Sequence, residues 1–253
     1  MTMDREGVTV HTMNTVHGRG PVFYASLQRD TETRKDHDTN GEAAKHRLVS
    51  ILWDYLVVGE SPLWKRSQSS NRDAFPIQVV HDQLGKPHLL LGEHRGPAVS
   101  FSEGGGRVWA ALCADKSDIG IDVAGTDEFH TGYPFHRVFH PQELQHALRL
   151  ADGDLEKASA LLWSTKEAVV KALGCGFHLV DPRQITVYPS EESAAGGPIA
   201  ENWGYTFPVG LSGKALVRFP MDAGQSLLVR SLPQRKMWLS IALLSRRPTG
   251  DDE

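Results

Sequence analysis

The chain is predicted to be an α+β protein, and three features of its sequence predict it. Residues 41–58 and 155–173 carry apolar side chains at helical spacing. Ile77–His81, Arg107–Cys113 and residues 118–123 read as strands between and beside those helices. Residues 216–219, 226–230 and 237–244 read as three closing strands, with connections short enough to make them antiparallel.

The first helix turns Ala44, Leu48, Ile51, Leu52 and Tyr55 to one side, and Gly59, Ser61 and Pro62 end it. Before it, residues 1–20 are polar and rich in Gly and Thr and are read as a loose tail, 22–27 as a first strand and 29–40 as a charged loop. In residues 82–89, Gly85 and Pro87 mark a hairpin turn. The triple glycine at 104–106 reads either as a turn or as backbone N–H groups offered to an anion. Pro141 suits the first position of a helix, with Glu143 in its first turn. Residues 184–188 read as a short strand, and 191–204 as a loop rich in Gly, Ala and Ser.

Bulk properties narrow the function. The 253 residues are 40% hydrophobic and 23% charged, with a net charge of −4, an ordinary soluble composition that does not suggest a nucleic-acid binder. Two cysteines, Cys113 and Cys175, make no metal-ligand pattern and fit a reducing cytosol, with one disulfide left open. No apolar run reaches the ~20 residues of a membrane span, and the N-terminus lacks an apolar signal core, so a cytoplasmic protein without membrane contact is expected. The twelve histidines are scattered. Pro141 opens a helix just after the His136–His140 spacing, so the two histidines need not share a helical face, which argues against a metal site there.

The chemistry concentrates in two stretches. The first, Trp-Ser-Thr-Lys-Glu-Ala-Val-Val-Lys-Ala-Leu-Gly at 163–174, has the composition of a helix with a glycine stop. Leu161, Leu162, Thr165, Val169 and Leu173 can face a core, while Ser164, Glu167 and Lys171 share another side. By itself the Glu167–Lys171 spacing also describes an ordinary surface pair worth ~0.3–0.5 kcal/mol. The second, Asp-Ile-Gly-Ile-Asp-Val at 118–123, alternates as a strand and sends Asp122 to the face opposite its isoleucines, beside a glycine that lets something approach the backbone.

In this order and at this distance, the two stretches resemble the signature motifs of the 4′-phosphopantetheinyl transferases. Gly85-Lys86-Pro87 resembles the family's Gly-Lys-Pro-x-Leu motif, which lines the coenzyme A nucleotide, with Lys86 toward a phosphate. His46-Arg47 resembles a His-Arg pair of the large bacterial members, where the Arg meets a phosphate of coenzyme A. At 98–101 the family often has Asn-x-Ser-His; this chain keeps Ser100 and has Ala98 and Phe101, and Phe101 neither donates a hydrogen bond nor carries charge. Two positions after Asp122, where the family often has a second acidic residue, stands Ala124; Asp127 and Glu128 are out of register.

The resemblance runs from about Arg47 to about Leu244 and is closest to the large, Sfp-type group. It implies a pseudodimer of two similar halves, each a mainly antiparallel sheet packed on a long helix: residues 21–122 and 123–246, with tails at 1–20 and 247–253. It implies transfer of 4′-phosphopantetheine from coenzyme A, the co-substrate, to a serine of an acyl or peptidyl carrier protein, with release of 3′,5′-ADP. The site residues it implies are Asp122 and Glu167 on Mg²⁺, Glu167 taking the serine proton, Lys171 on a phosphate, and Arg47, Gly85, Lys86 and Ser100 on coenzyme A. Lys166 is a weaker candidate, about 100° around the helix from Glu167. The partner supplies the nucleophile, consistent with the absence of a nucleophile motif here. A pseudodimer needs no second copy, so a monomer is expected. An acidic carrier would meet basic residues, with Arg137, Arg149 and Lys157 as candidates. Phe101 and Ala124 keep open the alternative of a non-catalytic relative that binds coenzyme A or a carrier without transfer.

Overall fold

The computed structural model describes residues 2–5, 7–14, 20–29, 37–58, 77–115, 117–130, 132–190, 204–222 and 225–245. The loop expected at 191–204 lies outside them except for its last residue, as does the tail at 247–253. The chain forms two compact units, Met1–Ile119 and Gly120–Glu253. Each is a mainly antiparallel sheet with a long helix, the α+β plan of two similar halves that was expected.

The first unit contains strands β1 (Thr2–Arg5), β2 (Val8–Met13) and β3 (Val22–Gln28), helix α1 (His37–Val58), and strands β4 (Ile77–His81), β5 (Pro87–Leu91), β6 (His94–Gly104) and β7 (Arg107–Cys113). Its seven-stranded sheet runs β1-β2-β3-β7-β6-β5-β4, with antiparallel neighbours throughout. The loose tail expected at 1–20 is corrected by β1 and β2: Val8 and Val10 alternate into the core, a period-2 signal short enough to be masked by the polar residues around it. Leu48, Ile51, Leu52 and Leu56 of α1 pack on Phe23, Ala25, Val99, Val108, Ala110 and Leu112. The helix starts at His37, four residues earlier than its apolar pattern.

The triple glycine makes a tight hairpin. Gly104 pairs with Arg107, and Gly105 and Gly106 between them have φ of 60° and 71°, the left-handed geometry that two-residue hairpins need. Gly85, at φ 86°, closes the β4–β5 turn, where Asp82 Oδ1 accepts from the backbone N–H groups of Leu84 and Lys86.

The second unit contains β8 (Asp118–Gly125), short α2 (Phe135–Val138), α3 (Pro141–Leu150), α4 (Leu155–Leu173), β9 (Ile185–Val187), β10 (Tyr205–Leu211), α5 (Gly213–Arg218), β11 (Leu227–Gln234) and β12 (Met237–Leu244). The sheet order is β8-β12-β11-β10-β9. The division between units falls inside β8, after Ile119. The strand expected at 216–219 is corrected: those residues belong largely to α5, and β10 is the strand that pairs antiparallel with β11. Val217 and Phe219 have strand propensity, but β10 already occupies the sheet, leaving 212–222 as the connection.

Helix α4 is capped at both ends. Asp154 accepts from the Lys157 N–H at 3.0 Å, and Gly174, at φ 74°, ends it in left-handed geometry. It packs on β11 and β12 with twelve buried residues. Cys113 and Cys175 are not joined in a disulfide.

Candidate functional site

In the second unit, β8 and α4 meet at a glycine. A Cβ on Gly120 would overlap the Ala168 carbonyl oxygen and lie 2.5 Å from the Ala172 N, so only glycine lets the strand lie directly on the helix backbone. That contact sets Asp122, two residues along β8, beside the last turns of α4. The Nζ of Lys171 donates to Asp122 Oδ1 at 2.7 Å and to the Ile121 carbonyl at 3.1 Å. The side chain of Asp122 is 10% exposed and that of Lys171 28%.

Glu167 stands one turn before Lys171. Burial first, and then the charge of Asp122, push its carboxyl up to about 7, while Lys171 acts in the opposite sense. The cluster therefore holds two carboxylates and one ammonium. Trp163, Glu167 and Lys171, at i, i+4 and i+8, form a half-buried stripe between Ala158 and Ala172, where every other residue of the helix is buried. Ser164, expected to share that side, is instead buried and hydrogen-bonded to Ser240 Oγ at 2.8 Å.

Lys166 is corrected as a candidate for phosphate. It is fully buried, with its Nζ 2.6 Å from Glu143 Oε1 and donating to the carbonyls of Pro182 and Ile185 at 2.8 Å each. Glu143 in turn accepts from the N–H groups of His140 and Val187. A charge pair so completely partnered ties α3, α4 and β9 together and leaves no donor to spare. His140 Nε2 donates to the Arg183 carbonyl at 2.7 Å, so the His136–His140 spacing makes no metal site.

Tyr133 is a neighbour that sequence spacing did not reveal. Its hydroxyl is pushed up to about 12 by burial, with the charges of Glu128 and Glu167 adding to the effect. Its ring sits against Phe129 and Phe135, with centroids 4.9 and 5.1 Å away. Glu128 is held by the Gly125 N–H at 2.7 Å. Ala124, at the position where a second acidic residue was considered, is buried apolar core.

The remaining nominated residues belong to the first unit. Lys86 Nζ lies 2.8 Å from Asp118 Oδ1, with both side chains nearly buried. Ser100 is buried on β6, and Arg47 is exposed on α1. Phe101 packs against the α1 core, on the face of β6 opposite Ser100. Gly85 is the turn residue already described.

Asp122 and Glu167 are oxygen donors, and the charge of Asp122 is felt at Glu167, whose proton affinity it raises; two such neighbouring carboxylates are the donor chemistry that suits a divalent cation such as Mg²⁺. No cluster of three or more His, Cys, Asp or Glu side chains occurs among the described residues, so protein would supply two ligands at this place. No helix among the described residues is long and apolar enough to cross a membrane.

A family model described as the 4′-phosphopantetheinyl transferase superfamily matches residues 118–206. Among solved structures, a Chronobacterium ammoniagenes ACPS-CoA complex is similar at 22% identity, covering 52% of this chain and 98% of its own, with a TM-score of 0.38. An apo-ACPS structure from the same genus is similar at 22% identity, covering 51% and 95%, with a TM-score of 0.38. A search of the curated proteins finds no match. The matched residues contain the whole Asp122–Glu167–Lys171 cluster.

Proposed function

We propose that this protein transfers the 4′-phosphopantetheine group of coenzyme A to a serine of an acyl or peptidyl carrier protein, releasing 3′,5′-ADP, and that it is a monomer of the large, Sfp-type pseudodimeric group. The observation that carries the reading is the cluster itself: two carboxylates opposed to one lysine, on a strand and helix that a glycine brings into backbone contact.

The reaction breaks the pyrophosphate linkage of coenzyme A. The serine oxygen bonds to the phosphorus nearer the pantetheine, and the bond from that phosphorus to the bridging oxygen breaks, so 3′,5′-ADP leaves with the electron pair. Asp122 and Glu167 would hold Mg²⁺, which when bound supplies positive charge to phosphate oxygens. Glu167, with its carboxyl near neutrality, is suited to accept the serine proton. Lys171 holds Asp122 and can exchange that bond for a phosphate oxygen as negative charge builds on the leaving group. Arg47, Gly85, Lys86 and Ser100 are proposed to line coenzyme A. For Lys86 this means releasing Asp118, to which it is bonded.

That internal pairing of Lys86, together with Phe101 in the core, favours a second reading: a relative that binds coenzyme A or a carrier without transfer. The two separate in one experiment. An apo carrier protein is incubated with this protein, coenzyme A and Mg²⁺, with and without EDTA, and its intact mass measured. Transfer predicts a Mg²⁺-dependent gain of one phosphopantetheine. No gain with several carriers, alongside a rise in melting temperature on adding coenzyme A, establishes the second reading.

A further inference from the structure

Helix α5 departs from what its own stability would favour. It has six residues, and its largest apolar side chains point outward: Val217 is 83% exposed and Leu216 42%. Only Ala215 is buried. Lys214 and Arg218 stand at i and i+4 on the same side as Val217, a like-charge spacing that destabilises a helix by a few tenths of a kcal/mol. Among the described residues no carboxylate forms an ion pair with either cation. Arg218 lies over the Phe219 ring, 5.9 Å from its centre.

The surroundings continue this pattern. Gln184 is fixed to the start of α5, its side-chain oxygen accepting from the Ala215 N–H at 3.2 Å and its carbonyl from the Ser212 N–H at 2.9 Å. The exposed Arg183 is thereby brought beside the helix as a third cation. Two carboxylates lie at the margins. Asp181 accepts from the Arg183 N–H at 2.8 Å, and Asp222 follows α5 by four residues. An exposed Val and Leu beside three cations make a local choice that nothing among the described residues repays, a mark of a surface shaped for something outside it.

We propose that α5 and Arg183 are the docking surface for the acidic protein substrate: Val217 and Leu216 enter an apolar recess on the partner, and Lys214, Arg218 and Arg183 meet carboxylates around it. Charge complementarity selects this occupant. A second copy of the chain would bring the same three cations against themselves, and a bare apolar partner would leave them buried without partners. Two of the three basic residues singled out from sequence are less suited: Lys157 is paired with Asp154 at 3.4 Å, and Arg149 Nη2 rests 3.4 Å from a His146 nitrogen. The identity of the occupant rests on the transferase reading above.

The test compares the unmodified protein with K214E/R218E and with V217S, using an acidic apo carrier protein, coenzyme A and Mg²⁺. The double variant is expected to raise KM for the carrier at least about tenfold, with kcat within about twofold and KM for coenzyme A unchanged. Its melting temperature should match that of the unmodified protein, because the altered side chains are exposed. The carrier KM of the unmodified protein should rise with salt, and that of the double variant should not. V217S is expected to raise the carrier KM less. Transfer by the unmodified protein with an unchanged carrier KM in the double variant overturns the docking surface and leaves the function standing. Neither transfer nor carrier binding by the unmodified protein overturns the function, and the docking surface with it.

Discussion

Two lysine–carboxylate pairs of the second unit, rooted on the same helix, behave in opposite ways. Lys166 and Glu143 are buried together, and every strong donor and acceptor in the pair has a partner. Lys171 and Asp122 are as close, at 2.7 Å, but a second carboxylate, Glu167, shares their surroundings. The first pair balances one positive charge with one negative. The second has one positive charge against two negative. A balanced buried pair fixes structure, whereas an unbalanced one is poised for another cation or for a proton. Adjacent residues of α4, about 100° apart around the helix, thus serve two purposes.

The largest effect should come from breaking the balanced pair. Lys166→Ala leaves Glu143 buried without its counter-charge and is expected to lower stability by about 3–5 kcal/mol in chemical denaturation. A loss under about 1 kcal/mol would show that Glu143 finds other partners. Next, Gly120→Ala forces a methyl into the Ala168 carbonyl and should separate β8 from α4. The expected loss is about 1–3 kcal/mol or more, together with most activity, since Asp122 moves relative to Glu167.

The unbalanced cluster predicts the reverse sign for stability. Folding raises the Glu167 pKa to about 7 from its ordinary value of 4.5. The folded state therefore binds more protons than the unfolded state between those pH values, and stability falls as pH rises through that window. Glu167→Gln removes this effect. With EDTA present, the variant should be more stable than the unmodified protein by about 1–3 kcal/mol at pH 8, the difference vanishing below about pH 4.5. A variant less stable than the unmodified protein at pH 8 would contradict the crowded-carboxylate reading. The smallest expected effect on transfer is that of Phe101→His. Because Phe101 packs toward α1, the substitution should cost about 1–3 kcal/mol of stability through burial of a polar ring and leave transfer unimproved. A gain in affinity for coenzyme A would show that the side chain at 101 reaches the ligand.

Much of this arrangement was legible in the sequence because its signals are local. The 3.6-residue apolar period marks α1 and α4, and period-2 alternation with a glycine marks β8 and a place where something approaches its backbone, which in the structure is α4. What stayed hidden depends on contacts between distant segments. Lys166 reads from sequence as a weaker candidate for the site, whereas in the structure Glu143, 23 positions earlier, is its partner. Ser164 has the spacing of the Glu167 stripe, but Ser240 draws it into the interior. At α5 the propensities of Val217 and Phe219 suggested a strand, and the choice was made elsewhere, by β10 pairing with β11. Tyr133 reaches Glu167's surroundings through an aromatic cluster with no sequence period.

The most direct test of the central claim is the initial rate of carrier modification, followed by intact mass at saturating coenzyme A and Mg²⁺, for the unmodified protein, Asp122→Asn and Glu167→Gln. If these carboxylates form the transfer site, each substitution lowers the rate at least ~100-fold while both variants remain folded at the assay temperature. Near-normal rates in both variants would contradict the claim and place the chemistry elsewhere in the chain.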